Sequence, residues 1–284
     1  MQPPKSFAEL IDLRRHEGLY QGICGQANLT GNIFGGQLMA QASSAAASQI
    51  EEDRALRSLH ASFLRPHPLT PAPRYQVETL LQGRSFSNLE VQVQQGGQAC
   101  LRASLCFQQP EAGASHANPM PEVQAPDNLP NLMELADHYR DRLSDGMVRV
   151  LETLQLHELR PLDSEAFLFC KGRDTRLRYW IRSRLPLADL PRLHEAALIY
   201  MSDAWSNSPM LLPHVDTRLS RHFFAPTLSH TLWLHRTPDV NQWLLFDLHS
   251  PGLSGATGLV NGDIYDQQGR LVASLAQHSL FRQS

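Results

Sequence analysis

An internal repeat limits the possible folds of this chain more than any other feature of its sequence. The segment "LHASFL" at 59–64 matches "SHTLWL" at 229–234, and "RASLCF" at 102–107 matches "VASLAQ" at 272–277. Both matches have the same offset of 170 residues. Matches that share one offset indicate a duplication, and duplicated segments are expected to fold alike. The sequence therefore predicts two related halves.

Each half has the pattern of one helix followed by several strands. An alanine-rich helical stretch begins at Gly35 and Gly36, and a second helix is predicted within "RLHEAALIYMSDAW" at 192–205. The runs that follow alternate apolar and polar residues, which is typical of half-buried strands. They are "SLHASFLRP", "RYQVETLLQ", "SFSNLEVQVQQ" and "QACLRASLCFQ" in the first half, and "SHTLWLHR", "QWLLFDLHS", "TGLVNGDIYD" and "RLVASLAQHSLF" in the second. This order predicts an α+β fold in which an antiparallel sheet curls around its helix.

A proline-rich segment separates the two halves. Residues 109–130 contain five prolines and little apolar periodicity, which is typical of a linker. We expect a short helix near "NLMELADHYRDRL" after this segment, and a strand at "LRYWIRSRL" before the second helix. The predicted organisation is an N-terminal domain at 1–110, a linker at 111–135 and a C-terminal domain at 136–284.

Charge and composition argue against several classes of partner. The net charge is −3 and no run of lysine or arginine occurs, so we expect neither nucleic acid nor an anionic membrane as a partner. No apolar run reaches the roughly 20 residues of a membrane span, and the N-terminus lacks the core of a signal peptide. The four cysteines have no CxxC pair and no disulfide-like spacing, which favours a cytoplasmic protein.

The sequence also lacks the patterns of common cofactor and covalent sites. Its 13 histidines form no metal-binding motif, and no G-x-G-x-x-G fingerprint for a nucleotide is present. We therefore expect no metal and no cofactor. A serine hydrolase is disfavoured because no G-x-S-x-G elbow occurs. His60 and His230 match within the repeat, which favours a shared structural role for them.

Candidate catalytic residues lie where the two halves differ. At the offset of 170, Gln277 corresponds to Phe107 and Thr227 corresponds to Arg57. Gln277 ends the apolar row of its strand, and a buried amide requires hydrogen-bond partners. Thr227 and Gln277 together can supply a hydroxyl group and an amide to one pocket.

Asp203 is the third candidate, because it lies on the same helix stripe as Ala196 and Ile199. A charge among apolar residues needs a partner or a shifted pKa. A structural interpretation of each candidate stays open at this point. Asp203 can cap its helix, and the other two can be ordinary residues at a strand start and at a solvent-facing strand edge.

Seven segments in order resemble the acyl-CoA thioesterase II family, and the resemblance covers nearly the whole chain. They are "GLYQG" with "NIFGGQLMAQA", "LHASFLRP", "GRSFS", "LHEAALIYMSD", "SHTLWLHR", "WLLFDLHSP" and "GRLVASLAQ". The resemblance implies two fused hot-dog domains, each with a sheet curled around a long helix. It also implies a homodimer or higher homo-oligomer.

The activity that this resemblance implies is hydrolysis of fatty acyl-CoA to free fatty acid and CoA, without a metal or a covalent intermediate. In the family an Asp, a Thr or Ser, and a Gln hold one water molecule, and these roles fall on Asp203, Thr227 and Gln277. The residue types suit the reaction, because an electrophilic thioester carbonyl requires mainly an oriented water and a proton acceptor.

Departures from the family pattern leave two alternatives. Where relatives often carry arginines, this chain has neutral residues: Asn88, Leu89, Thr257 and Asn261. Fewer contacts to the CoA phosphates are therefore expected, and a binding protein for acyl-CoA or an acyl carrier, without turnover, is one alternative. A double hot-dog enoyl-CoA hydratase is the other, although His214 follows Asp203 by more residues than that chemistry uses.

Overall fold

The computed structural model describes residues 1–28, 30–143, 148, 151, 156–170, 174–215 and 223–283. The helices described are α1 (Phe7–Ile11), α2 (Gly35–Ala47), α3 (Leu132–His138), α4 (Ser164–Phe169), α5 (Pro191–Asp203) and α6 (Ser208–Leu211). The first strands are β1 (Leu13–His16), β2 (Leu19–Gly22), β3 (Ala55–Phe63), β4 (Arg74–Gln82), β5 (Phe86–Gln95), β6 (Gln98–Gln108) and β7 (His157–Pro161). The others are β8 (Arg176–Ser183), β9 (Phe223–Phe224), β10 (Thr227–Leu234), β11 (Leu244–Ser254), β12 (Thr257–Asp266), β13 (Leu271–Leu280) and β14 (Arg282–Gln283).

The predicted helices and strands are present. The helix that begins at Gly35 and the helix that ends at Asp203 are confirmed, and each run with alternating polarity forms a strand. The elements that the sequence did not reveal are short. They include α1, the β1–β2 hairpin and β7, which have too few residues to give a clear period.

Contacts divide the chain into two compact units that do not follow its sequence order. Unit 1 comprises Met1–His116, Leu187–Ala204 and Leu228–Asp239. Unit 2 comprises Ala117–Pro186, Trp205–Thr227 and Val240–Ser284. The second long helix, α5, therefore belongs with the first half by its contacts. The domain boundaries drawn along the sequence stay predictions.

Unit 1 is an antiparallel sheet that covers two long helices. Its strands lie in the order β1-β2-β4-β5-β6-β3-β10. Helix α2 packs on β4, β5 and β6, and α5 packs on α2, α1 and β3. Nearly every residue of both helices is buried, because each helix has protein on all sides. Small residues, mostly alanine, therefore dominate α2.

The two helices of unit 1 approach most closely where α2 begins. A Cβ atom on Gly36 would lie 2.6 Å from the backbone oxygen of Tyr200 on α5, and 2.5 Å from the ring of Phe34. A distance below 3.0 Å leaves no room for a side chain. Glycine is therefore required at this position by the contact between the helices.

Unit 2 is a second antiparallel sheet, in the strand order β13-β12-β11-β8-β7. An apolar cluster on this sheet combines Trp180, Leu245 and Tyr265 from its strands with Leu129 and Trp243 from outside them. Met120 and Val123 pack against the cluster, and the Trp180 indole donates to the backbone oxygen of Gln124 at 2.9 Å. We call residues 120–129 the strap. Part of the predicted linker thus belongs to the packed structure of unit 2.

The repeat holds well for the strands β6 and β13. Ala103 and Leu105 are buried, and so are Ala273 and Leu275 at the offset of 170. The next inward positions are Phe107 and Gln277, and both are buried. The apolar row of β13 therefore ends in a buried amide, as the sequence predicts.

The same offset fails for β3 and β10. His60 is exposed, whereas His230 is fully buried, so the two side chains lie on opposite faces of the sheet. Side chains alternate between the faces of a strand, so a difference of one residue in register reverses the face. The predicted shared role of His60 and His230 is wrong for this reason. The correspondence of Thr227 with Arg57 was based on the same offset of 170 residues, so it is no longer supported.

The sequence predicts no membrane-spanning segment and no disulfide-like spacing of the cysteines. Within the described ranges, none of the helices combines the length and the apolar character needed to cross a membrane. All four cysteines are free thiols.

We expect Gly36→Ala to lower the free energy of unfolding by about 1 to 3 kcal/mol, because the added methyl group meets a backbone atom that a rotamer change does not move. Thermal unfolding followed by circular dichroism measures the effect. Gly252→Ala is the control, since an added Cβ there meets nothing within 4 Å. Equal melting temperatures of the two variants would contradict the interpretation of the helix contact.

Candidate active site

Asp203 is a buried carboxylate at the end of a helix in unit 1. It is the last residue of α5, its exposure is 9%, and it lies against the start of α2. A Cβ atom on Gly35 would be 2.8 Å from Oδ2 of Asp203, so a side chain at this position would displace the carboxylate. Burial raises the pKa of Asp203 to about 6, and a hydrogen bond from the backbone of Gly36 partly opposes this increase.

The helix ends explain why the carboxylate contacts α2. The C-terminal end of a helix carries partial negative charge, which disfavours Asp203 on its own helix, α5. The N-terminal end of α2 carries partial positive charge and free N–H groups. The hydrogen bond from Gly36 uses that end. The interpretation of Asp203 as a cap of its own helix is therefore not supported.

A second buried contact holds the end of α5 in unit 1. The hydroxyl of Ser202 donates to the backbone oxygen of Ile199 at 2.8 Å, and its Oγ lies 2.9 Å from Nε2 of His230. Both Ser202 and His230 are fully buried. The contact joins the residue before Asp203 to strand β10.

Thr227 and Gln277 lie together in unit 2. The Gln277 amide donates to the hydroxyl oxygen of Thr227 at 3.1 Å, and it lies 3.5 Å from Oγ of Ser279. Gln277 is 1% exposed, which excludes the interpretation that it faces water at a strand edge. Thr227 is partly exposed at the first position of β10.

The structure thus brings together two of the three predicted residues. Thr227 and Gln277 are hydrogen-bonded partners in unit 2, and Asp203 belongs to unit 1. For the hydratase alternative, the residue considered was His214. It lies in unit 2, and its backbone oxygen accepts a hydrogen bond from the Gln283 side chain at 2.9 Å.

Sequence reasoning did not identify several polar residues around Asp203. Tyr200, one turn earlier on α5, donates to Gln26 at 2.6 Å, and the backbone N–H of Gln26 donates to the Gln37 side chain at 2.8 Å. A weak signal exists for Tyr200, because a position three residues before Asp203 shares its face of the helix. No comparable signal exists for Gln26, which lies in a loop.

Glu195 is a second buried acid on α5. Burial raises its pKa to about 7, while the N–H of Leu56 and the charges of Arg192 and Arg57 oppose the increase. Its Oε1 accepts from the Leu56 N–H at 3.1 Å. This strand position lies at a break in the β3–β6 register, so the carboxylate satisfies a backbone donor that the sheet leaves available. Its role is therefore structural.

Metal ligands do not gather anywhere in the part of the chain that the structure describes. None of its groups of histidine, cysteine, aspartate and glutamate contains three side chains placed to hold a metal ion. The functional groups that the three candidate residues offer are a carboxylate, a hydroxyl and an amide.

Known proteins resemble this chain along most of its length. A family model described as the acyl-CoA thioesterase N-terminal domain matches residues 25–108, and the model of the C-terminal domain matches residues 120–281. Acyl-CoA thioesterase 2 of Haemophilus influenzae is 32% identical over 254 residues, which are 88% of this chain and 87% of that protein.

Solved structures agree with the sequence matches. An acyl-CoA thioesterase II from Mycobacterium marinum has a TM-score of 0.80 and 28% identity, with 98% of each chain covered. A protein from Alicyclobacillus acidocaldarius, described only by its hot-dog fold, has a TM-score of 0.76 and 21% identity over 97% of each chain. The predicted α+β double hot-dog fold is confirmed. With both halves matched by its models, the chain belongs to the acyl-CoA thioesterase family.

Proposed function

We propose that this chain hydrolyses acyl-CoA thioesters with one water molecule held by Asp203, Thr227 and Gln277. The observation that carries the proposal is the buried carboxylate of Asp203, whose pKa of about 6 suits a general base near neutral pH. Membership of the acyl-CoA thioesterase family supports thioester hydrolysis as the reaction. The relatives are acyl-CoA thioesterases, which supports acyl-CoA thioesters as the substrate class.

Asp203 acts as the proton acceptor in this proposal. Its carboxylate is ionised above about pH 6, and burial keeps it more basic than an aspartate in water. A stronger base accepts the proton of the attacking water more readily. The hydrogen bond from Gly36 limits the shift, so that the group is still charged at neutral pH.

Thr227 and Gln277 orient the water. The Thr227 hydroxyl accepts a hydrogen bond from the Gln277 amide, so its own proton can point towards the water oxygen. The amide oxygen of Gln277 can accept one proton of the same water. Two fixed contacts reduce the orientational freedom of the nucleophile, which is the main requirement for attack on a thioester.

The reaction balances without any further reactant. The water oxygen forms a bond to the carbonyl carbon while one of its protons moves to Asp203. The tetrahedral intermediate then collapses, the carbon–sulfur bond breaks, and the CoA sulfur leaves with its electron pair. The proton held by Asp203 passes to that sulfur, so the products are a carboxylic acid and the CoA thiol.

The homo-oligomeric state and the cytoplasmic location stay predictions. The four free thiols support a reducing compartment. Both properties are separate from the chemistry of the site.

Asp203→Asn is expected to lower kcat by about 10²- to 10⁴-fold, because the amide cannot accept the proton of the water. Release of free CoA, measured with a thiol reagent over a panel from acetyl-CoA to palmitoyl-CoA, gives the rates. Asp263→Asn is the matched control, since Asp263 accepts from Ser274 on a strand of unit 2 and has no role in the mechanism.

Two results would contradict the assignment. Equal rates for the wild type and Asp203→Asn would exclude this base, and no CoA release from the wild type with any substrate would favour the binding protein. Loss of enoyl absorbance with crotonyl-CoA, without release of CoA, would favour the hydratase.

The pH dependence of kcat/KM reports the protonation state of Asp203. Because the carboxylate is the active form, kcat/KM is expected to fall about tenfold per pH unit below an apparent pKa of about 6 and to be level above it. Initial rates from pH 4.5 to pH 8.5, corrected for spontaneous hydrolysis, measure the profile. A level profile through pH 6 would show that another group limits the reaction.

Thr227→Val and Gln277→Met are each expected to lower kcat by about 10- to 100-fold, with little change in KM, because each removes one contact to the water. The double variant should lose little more than either single variant, since the two residues orient the same molecule. Losses that multiply would indicate independent roles.

A further inference from the structure

We propose that Tyr200 is a positioning residue for Asp203, acting through Gln26 and the start of α2. The proposal rests on the function proposed above, in which Asp203 accepts the proton of the attacking water. It concerns a hydroxyl group with no part in that mechanism, although it lies one turn before Asp203 on the same helix. Tyr200 is buried at 1% exposure.

The Tyr200 ring is held on two sides by aromatic contacts. Phe34 meets it edge to face with ring centroids 5.0 Å apart, and Phe7 does so at 5.4 Å. The ring orientation fixes the hydroxyl, which donates to Oε1 of Gln26 at 2.6 Å. A buried tyrosine hydroxyl with a short, well-placed acceptor specifies the position of that acceptor.

Gln26 connects Tyr200 to the residues that begin α2. Its backbone N–H donates to Oε1 of Gln37 at 2.8 Å, and its backbone oxygen accepts from the Phe34 N–H at 2.9 Å. The Gln37 amide in turn donates to the backbone oxygen of Cys24 at 2.8 Å. Three hydrogen bonds of Gln26 therefore tie the loop to the first turn of the helix and to Tyr200.

These contacts extend to the residues next to Gly36, whose backbone donates a hydrogen bond to Asp203. Phe34, which Gln26 holds, precedes Gly35 and Gly36, and Gly36 supplies the backbone hydrogen bond to the carboxylate. The backbone oxygen of Tyr200 also lies against Gly36, where it leaves no room for a side chain. Tyr200 thus contacts the start of α2 through its backbone and, by way of Gln26, through its hydroxyl.

Removal of the hydroxyl loosens this arrangement without removing the ring. The Gln26 side chain loses its hydrogen bond to Tyr200, and the loop that holds the start of α2 loses one of its fixed contacts. The Gly36 N–H then stabilises the Asp203 carboxylate less well. A carboxylate with a weaker donor is protonated at higher pH, and it holds the water less accurately.

Tyr200→Phe is expected to lower kcat about 10-fold at pH 7, with KM changed by less than about twofold, because the variant affects positioning rather than substrate binding. The acid limb of kcat/KM should move to higher pH by about half a unit. The measurements are CoA release at saturating substrate and the pH profile of kcat/KM, with the acyl-CoA that the wild type hydrolyses fastest.

Tyr75→Phe is the matched control. Tyr75 is also buried, and its hydroxyl also donates to a glutamine side chain, that of Gln41 on α2. Gln41 donates to the backbone oxygen of Leu10 in α1, away from the loop that holds Phe34. Each variant removes a hydrogen bond from a buried tyrosine to a glutamine side chain, so both should lose thermal stability, but only Tyr200→Phe should change the pH profile.

Gln26→Met removes the acceptor of the same hydrogen bond. It provides a second test if Tyr200→Phe folds poorly. Gln26 is partly exposed, so the variant is milder. It should reproduce the shift of the acid limb, and the double variant should add little to either single variant. An acid limb that stays at the wild-type pH in both single variants would overturn the proposal, as would an equal shift in Tyr75→Phe.

Failure of this proposal is distinguishable from failure of the proposed function. If Asp203→Asn keeps full activity, or the wild type has no acid limb, the role of Asp203 is wrong. If Asp203 behaves as proposed while Tyr200→Phe matches Tyr75→Phe in kcat and in pH profile, only the positioning role of Tyr200 is wrong.

Discussion

The structure depends on a carboxylate that folding removes from water. Asp203 ends one long helix and lies against the beginning of the other, with a pKa raised by burial from 3.8 to about 6. A shift of this size corresponds to about 3 kcal/mol that the ionised group costs at neutral pH. Because the pKa in the folded chain is the higher one, the cost is absent below about pH 4 and complete above about pH 6. The surrounding contacts must offset it.

The glycine pair at the start of α2 accommodates the carboxylate. Gly35 leaves space for the carboxylate, and Gly36 supplies its backbone donor while lying against Tyr200. A helix that begins with two glycines loses backbone entropy on folding. The rest of α2 compensates, because it is rich in alanine and buried on all sides. The Ser202–His230 contact adds a second constraint at the end of α5.

Much of this arrangement could be predicted from the sequence. Alternation of polarity identified the strands, and a comparison of the halves identified Gln277 as a polar residue in a buried row. The position of Asp203 on an apolar helix stripe correctly indicated a buried charge with a shifted pKa. The strand and helix signals are local, with a period of two or of three to four residues, whereas the signal for Gln277 also used the match between the halves.

Other features depend on contacts that no local period encodes. Tyr200 and Gln26 lie far apart in sequence, and a loop glutamine gives no sign of its partner. The interpretation of His60 and His230 failed because a sequence match does not determine which face of a strand a residue occupies. The division into contact units also differs from the order of the halves, since α5 packs with α2.

The strap of residues 120–129 belongs to the C-terminal half of this chain by its contacts. Leu129 and its neighbours cover aromatic side chains on the sheet of unit 2, including Trp180, Trp243 and Tyr265. A fragment that began at residue 136 would lack this cover and would present those rings to water, and exposed apolar surface of this kind promotes aggregation. The segment that joins the halves therefore also covers apolar surface of the second half.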